Sequence, residues 1–425
     1  MKNEGVKSVI LITHGKRWRI YILLFTFFII FTSGKPGQAC IHPLTHRQDV
    51  TGQAIAAQIK KMKGDLYFPH TVERFYKLKG NKLSWIFPDT VKSHGWEVML
   101  MLDCIVQFGL NHKDYHPDKL VSKEMHRLVT QYSKVSIMDK IAFDVMLTDA
   151  LITFMNHLHY GKLNPFYSAK RIDQLMPGGF WADTSLIHAF KKPDFMSAVL
   201  SVQPQSKAYA ILQSTMRLMT GQYVGDCYEF PEGEVRKIAV NMERLRWSDI
   251  GGEKYIQINI PSYTLRFQLP DTVYQFKVIA GSPSQLTPIL RTKVSGFMTN
   301  TQFYEGSTIS RQIIFRFKNP DHISLFGFFE EITLNSSRIF PKQEFIQVQQ
   351  AQRLAELLLV HDGQKEKLNM LRNPKQNANF TLKNAVPIKI TYLTCEVING
   401  IVVQYDDTYK LDKNIENGLF LSTQH

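Results

Sequence analysis

Four cysteines and fourteen histidines are the residues of this 425-residue chain best suited to supply nucleophiles, general bases or metal ligands. The cysteines, Cys40, Cys104, Cys227 and Cys395, are far apart and include no C-x-x-C pair. This spacing predicts neither a structural zinc site nor a thioredoxin-type redox pair. Cys104 lies in the apolar stretch Val98–Phe108, so we expect it to be a small, buried hydrophobic residue. An oxidising compartment would permit a disulfide, but the sequence assigns no pairing.

Two pairs of histidines are close enough in sequence to suggest shared chemistry. His112 and His116 are four residues apart, but Pro117 and the polar neighbours predict a loop at this point. His157 and His159 are two residues apart on a helical pattern, which turns them to different faces of the helix. Structural roles are therefore favoured over metal ligation, and we expect neither a metal ion nor a cofactor.

The composition favours a folded protein with a basic surface. Apolar residues make up 44% of the chain and aromatic residues 12%, which is enough to build a sizeable core. The formal net charge is +14, but the basic residues outside the amino terminus form no run of five or six like charges. A solvated basic surface is the favoured interpretation, and contact with an anionic envelope polymer or lipid surface is the alternative. No nucleic-acid-binding module accompanies the charge, so we expect no nucleic-acid partner.

The amino terminus has the pattern of a secretory signal over residues 1–39. Basic residues precede an apolar run, Ile20–Phe31, and Gly37-Gln38-Ala39 offers a cleavage site between small residues. The run is short for a membrane-spanning helix, although an uncleaved membrane anchor is an alternative. Cys40 suggests lipidation, but Gly37 stands where a leucine is usual in such signals. We therefore expect export to the periplasm or to the periplasmic face of the inner membrane.

Apolar periodicity predicts that the first half of the chain is helical. Residues 50–170 follow helical patterns, one of which runs from Phe143 to Phe154 and ends toward Gly161. Another lies between Val98 and Val106 and stops near Gly109. Residues 172–232 are richer in Pro and Gly and contain one further helical run, Ser206–Met219.

The pattern changes after Arg236, where short alternating segments predict strands. Near the end of the chain Asn399-Gly400 predicts a tight hairpin, because both residues tolerate positive φ. One helix, Val348–Val360, interrupts the strands. A helical half followed by a strand-rich half predicts an α+β protein.

Short phrases in both halves occur in an order that is typical of one protein family. In the helical half they are Val72–Tyr76, Leu83–Trp85, Gly109–His116, Asp144–Ala150 and Gly161-Lys162. In the strand-rich half they are Asn241–Trp247, Ile258–Pro261, Val278–Gly281, Thr287-Pro288, Val386–Tyr392 and Asp407–Tyr409. In this order they resemble the large L,D-transpeptidases, in which a helical scaffold domain precedes a YkuD-type catalytic domain. The resemblance implies a scaffold domain over residues 50–232 and an L,D-transpeptidase-like, β-rich domain over residues 236–415.

The resemblance also implies a chemistry that this chain lacks the residues to perform. In the family a cysteine thiolate, activated by a histidine, attacks a peptide-stem carbonyl of peptidoglycan and passes the acyl group to a second stem. The cysteine belongs to a Ser-His-Gly-Cys-x-Arg stretch before a helix, and another histidine belongs to a His-Asp-Thr-Pro stretch upstream. The positions that align with these stretches hold Phe326 upstream and Pro341, Lys342, Gln343 and Glu344 downstream. No cysteine or histidine occurs from Ile323 to Val360, so no catalytic residue is predicted.

Nothing nearby replaces the lost thiol. Glu344 lacks the nucleophilicity of a thiolate toward an amide, and no histidine adjoins it. Cys395 lies on a closing strand, where we expect it to pack. About twenty residues separate Met219 from Val240, too few for the peptidoglycan-binding helical module that larger relatives insert there.

Three functions remain open at this point. The favoured one is a catalytically degenerate L,D-transpeptidase homologue that acts in cell-wall biogenesis by binding peptidoglycan or another component of the cell envelope. The second is a diverged enzyme that acts on peptidoglycan peptide stems with other residues. The third is a general scaffold that retains the fold alone. The sequence does not give the oligomeric state.

Overall fold

The fold is taken from a computed structural model, which describes residues 44–221, 233–247, 253–305, 308–318, 323–329, 345–373 and 377–421. These residues contain thirteen α-helices and ten β-strands. The described residues from His46 onward form one compact unit. No helix in the described part is both long and apolar enough to cross a bilayer. The predicted signal, residues 1–39, lies outside the described residues.

Ten helices precede the first strand. They are α1 (Leu44–Lys61), α2 (Pro69–Leu78), α3 (Gly95–Asp103), α4 (Ser122–Thr130), α5 (Ile137–Tyr160), α6 (Ala169–Leu175), α7 (Ala182–Ala189), α8 (Phe195–Leu200), α9 (Lys207–Gly221) and α10 (Glu234–Trp247). The longest, α5, is capped at its amino end by Ser136, whose side chain accepts a hydrogen bond from Asp139 N. It ends at Gly161, where φ is +87°. Residues on every face of α5 are buried, so this helix forms the centre of the helical core.

Eight of the ten strands form a closed barrel. The barrel strands are β1 (Tyr255–Asn259), β2 (Thr264–Gln268), β3 (Val273–Ile279), β4 (Leu290–Glu305), β5 (Thr308–Phe317), β6 (Ser324–Phe328), β7 (Phe345–Val348) and β8 (Ala378–Thr391). The other two, β9 (Cys395–Ile398) and β10 (Ile401–Gln404), form a separate two-stranded sheet. Around the barrel their order is β1-β2-β3-β7-β6-β5-β4-β8. The pairs β1–β8 and β6–β7 are parallel, and the other neighbouring pairs are antiparallel. Closure removes the free edges that an open sheet would expose.

Three further helices belong to the strand-rich half: α11 (Ala351–His361), α12 (Leu368–Arg372) and α13 (Asp412–Phe420). One face of α11 buries Leu354, Ala355 and Leu358 in the barrel's hydrophobic core. The β9–β10 hairpin turns at Asn399 and Gly400, where φ is +50° and +83°. Mixed α and β structure is therefore confirmed, as are the predicted hairpin and the helix between the strands, although Val348 itself ends β7.

Helix α10 contacts elements of both halves of the chain: α5 and α9 in the helical half, and β9 and α13 in the strand-rich half. The sequence pattern changes character near Arg236, yet the chain stays helical to Trp247 and the first strand begins at Tyr255. Helix α10 packs in the helical core, as do Cys395 and Phe420 from the end of the chain. The carboxy terminus therefore returns to the helical half after the barrel is complete.

Two expectations from the sequence were wrong. Residues 172–205 contain α7 and α8 and much of α6, whereas the sequence predicted a single helical run after residue 172. Their short lengths and the intervening Pro and Gly residues hide the helical periodicity. Cys104 is exposed rather than buried, because α3 ends at Asp103 and a one-turn 3-10 helix begins at Ile105. The change of helix type turns the intervening residue outward.

Candidate functional site

Of the positions aligned with the lost catalytic stretches, the structure describes Phe326. Its side chain is 3% exposed, on β6, and its ring lies edge-on to that of Phe328 with centroids 5.8 Å apart. Next to it, Gly327 lies so close to the start of α11 that an added Cβ would lie 2.5 Å from the Cβ of Ala351. This part of the barrel wall is close-packed and apolar. Pro341, Lys342, Gln343 and Glu344 lie outside the described residues.

Cys395, the cysteine of the strand-rich half, is buried. Cys395 opens β9 and is 1% exposed within the helical core. Burial raises the pKa of its thiol to about 11. The thiol is therefore protonated at neutral pH. Its burial confirms the expectation that Cys395 packs. Cys40 and Cys227 lie outside the described residues.

The phrases that resemble the transpeptidase family supply the polar core of the helical half. Asp144, fully buried on α5, accepts hydrogen bonds from the backbone N–H groups of Ser84, Trp85 and Ile86 at 2.8–3.1 Å. The hydroxyl of Tyr76 donates to the same carboxylate at 2.5 Å. Three phrases of the sequence thus meet at one side chain. The carboxylate holds the segment after α2 against α5, which is a structural role.

A second carboxylate on α5, that of Asp149, holds the segment just before α2 against α5. Asp149 accepts hydrogen bonds from Tyr67 N and Phe68 N, both at 3.0 Å. His116 Nε2 lies 2.7 Å from Asp149 Oδ2, and the His116 ring stacks on Tyr67. The loop predicted around His116 is present, and its histidine serves this structural contact. Among the described residues, no group of three or more His, Cys, Asp or Glu side chains is arranged to hold a metal ion.

His157 and His159 point to different faces of α5, as predicted. His157 Nδ1 lies 2.8 Å from the hydroxyl of Tyr115 inside the helical core. His159 Nδ1 donates to Val202 O at 3.0 Å, and its ring stacks on Phe180 with centroids 4.0 Å apart. Burial lowers the pKa of His157 well below its usual value.

Helix α10, which carries the Asn241–Trp247 phrase, contains a buried ion pair. Arg246 Nη1 and Glu243 Oε2 are 3.0 Å apart, and both side chains are fully buried. Glu243 also accepts hydrogen bonds from Leu163 N and Trp247 Nε1. Gly161 is close by, because a Cβ there would lie 2.6 Å from Trp247 Nε1. These contacts hold the end of α5 against α10.

The same helix contacts the end of the chain. Arg244 Nη1 lies 2.5 Å from Asp412 Oδ1, and Asn241 Nδ2 donates to Thr394 Oγ1 at 2.9 Å. The Arg244 guanidinium lies over the ring of Tyr392, 5.0 Å from its centroid. Residues of the family-like phrases therefore position α10 between the helical core and the strand-rich half.

A cleft of about 720 Å³ opens beside this junction, within the size range of small-ligand sites, which is roughly 300–1,000 Å³. Helix α7 and the end of α5 form part of its wall, through Ser185, His188 and Tyr160. Lys192 and Arg291 supply positive charge, the latter from strand β4. No described carboxylate lines the cleft.

Two smaller cavities lie beside α10, and their linings share residues with each other. One of about 30 Å³ is lined both by Arg291, which also lines the cleft, and by Arg244. Arg244 and Tyr392 also line a cavity of about 600 Å³. The described linings of these two cavities likewise include no carboxylate. An anionic ligand would therefore meet no like charge among these lining residues.

The cleft residues are the functional candidates that sequence reasoning missed. The available signal was the spacing of Ser185 and His188, which are three residues apart and therefore lie on one face of a helix. Arg291 comes from a strand distant in sequence, and no local pattern connects it with them.

Comparisons with known proteins bear on the helical half. Residues 70–216 match the family described as Scaffold domain. No curated protein matches the chain. The match extends over α2–α8 and into α9, and it agrees with the scaffold part of the predicted resemblance. Residues 70–216 are therefore similar to a scaffold domain.

Proposed function

We propose that this chain is a catalytically degenerate homologue of the scaffold-bearing L,D-transpeptidases. In this proposal it is exported and acts in cell-wall biogenesis as a non-catalytic binding or scaffold protein. Its partner is peptidoglycan or another component of the cell envelope. The apolar segment Ile20–Phe31 directs export or anchors the chain in the membrane.

The support for a common fold comes from the roles of the family-like phrases. Asp407 accepts a hydrogen bond from the Tyr392 hydroxyl at 2.7 Å, and Tyr409 N donates to the same hydroxyl at 2.7 Å. The side-chain amide of Asn259 donates a hydrogen bond from Nδ2 to Leu393 O and accepts one at Oδ1 from Leu393 N. Phrases far apart in sequence are thus in contact, as expected if they specify one fold.

The proposed loss of activity rests on the absence of the residue types that the reaction requires. The family's reaction needs a thiolate and a histidine, and residues 323–360 contain neither residue type. Cys395 offers no replacement, because its thiol is buried and protonated at neutral pH. A carboxylate or an amine in place of the cysteine and histidine provides no comparable route to an acyl-enzyme.

The test is transpeptidation by the purified protein. We expect no new 3–3 cross-links in muropeptide profiles after incubation with sacculi or tetrapeptide stems, while an active family member run in parallel forms them. The variant carrying Lys342→His and Glu344→Cys should remain inactive, because Phe326 also replaces the upstream histidine stretch. New cross-links made by the wild-type protein would refute the proposal.

A further inference from the structure

We propose that the cleft beside α7 is a binding site for a peptide that carries carboxylates. None of the described residues of β6, β7 or α11 lines it, so it is separate from the stretch where the family's chemistry would occur. The proposal rests on the proposed function only for the source of the peptide. The charge and the volume of the cleft follow from its lining residues and do not depend on the proposed function.

One wall of the cleft presents polar groups that the protein leaves unused. Ser185 and His188 lie on α7, and Lys192, three residues after the end of α7, also lines the cleft. Within the described part of the chain, their side chains make no hydrogen bond or ion pair with other protein groups. They offer a hydroxyl, an imidazole and an ammonium group to a ligand.

Another part of the lining contributes a guanidinium without a carboxylate partner. Arg291 is half-buried on β4, and its guanidinium lies over the ring of Phe166, 4.4 Å from the centroid. No described Asp or Glu forms an ion pair with it. Arg246 also lines the cleft, but Glu243 neutralises its charge at 3.0 Å. Arg291 and Lys192 are thus the positive charges available to a ligand.

The lining favours carboxylates on a partly apolar ligand over a phosphate chain. The planar fork of Arg291 suits either a carboxylate or a phosphate through two parallel hydrogen bonds, so the apolar part of the lining decides between them. Tyr167 and Phe180 supply ring surface, and Gln203 and Asn164 supply amide groups. A short peptide with side-chain or terminal carboxylates meets all three kinds of surface, and about 720 Å³ accommodates several residues.

Isothermal titration calorimetry at low salt tests the proposal with three probes: a synthetic tetrapeptide stem of peptidoglycan, the same peptide with every carboxylate amidated, and tetraglutamate. The stem should bind the wild-type protein, and amidation should weaken binding at least about tenfold, as expected when charge-assisted hydrogen bonds are lost. Arg291→Gln and Lys192→Gln should each weaken binding by a similar factor. Lys123→Gln removes the same charge from an exposed position on α4 that does not line the cleft, and should leave affinity unchanged.

The outcomes separate this proposal from the proposed function. Equal binding of tetraglutamate and the stem would support a carboxylate site while removing its link to the envelope peptide. Equal binding of the stem and its amidated form, or equal losses in Lys123→Gln and Arg291→Gln, would overturn the site. So would the absence of heat with all three probes. The amidated peptide keeps the test independent of whether any variant folds.

Discussion

At the residue scale, a few buried polar side chains hold backbone segments that are distant in sequence. Asp144, Glu243 and Asn259 belong to phrases that the resemblance singled out, and each one satisfies buried backbone groups. The prediction for Cys104 was wrong, because an apolar stretch cannot show where one helix type gives way to another. Lys192 and Arg291 were not found, since a binding cleft depends on residues that only the tertiary fold brings together.

The Cys395 thiol should resist alkylation in the folded protein. With a pKa of about 11, roughly 0.1% of the thiol is ionised at pH 8, and burial adds a steric barrier. Peptide mapping after iodoacetamide treatment at pH 8 should show modification of Cys395 only in denaturant. Rapid modification under native conditions would mean that the thiol is accessible and a candidate nucleophile. Cys395→Ser supplies the control for assigning the peptide.

His157 should make stability depend on pH below neutrality. Burial lowers its pKa in the folded state, and the charges of Lys162 and Arg246 add to the effect. The unfolded histidine titrates near pH ~6.5, so below that pH the unfolded chain binds a proton that the folded chain does not. The free energy of unfolding should therefore fall by up to ~1.4 kcal/mol per pH unit until the folded pKa is reached.

Urea unfolding at pH 7.5 and 5.5 measures this contribution when the wild type is compared with His157→Gln, which keeps a polar group near Tyr115. The variant should lose less stability than the wild type between the two pH values. An equal loss in both proteins would assign the pH dependence to other groups.

At the element scale, long periodic segments were predictable and long-range pairing was not. The pattern from Phe143 to Phe154 lies inside α5, and the turn at Asn399-Gly400 is where the sequence predicted it. The barrel was not predicted, because its closure pairs β1 with β8 across more than a hundred residues. Alternating hydrophobicity identifies strands, but it does not specify which distant strand pairs with which.

Helix α10 should depend on its buried ion pair. Glu243→Gln leaves Arg246 charged inside the core, and breaking a buried pair in this way typically costs ~3–5 kcal/mol. The matched control is Glu73→Gln, which makes the same change at an exposed pair with Lys77 on α2. Thermal unfolding should show a large decrease in melting temperature for Glu243→Gln and little change for Glu73→Gln. Similar melting temperatures for the two variants would show that α10 does not need this pair.

At the scale of the whole molecule, the helical core contains residues from both sides of the barrel in sequence. Helix α10 and the carboxy-terminal residues Cys395 and Phe420 pack in the helical core, although the barrel strands lie between them in sequence. The resemblance implies two consecutive domains. Sequence order alone does not reveal that residues near the end of the chain pack in the core formed by the first helices. In the barrel wall, the apolar side chain of Phe326 is buried.

Intact-mass spectrometry of the purified protein with a carbapenem, the inhibitor class that acylates the family's cysteine, tests the absence of a thiol nucleophile most directly. The account predicts an unchanged mass after prolonged incubation, because residues 323–360 contain no cysteine and the Cys395 thiol is buried and protonated. A stable adduct mapped to Cys104, Cys227 or Cys395, together with new cross-links in sacculi, would contradict it and place an active site elsewhere in the molecule.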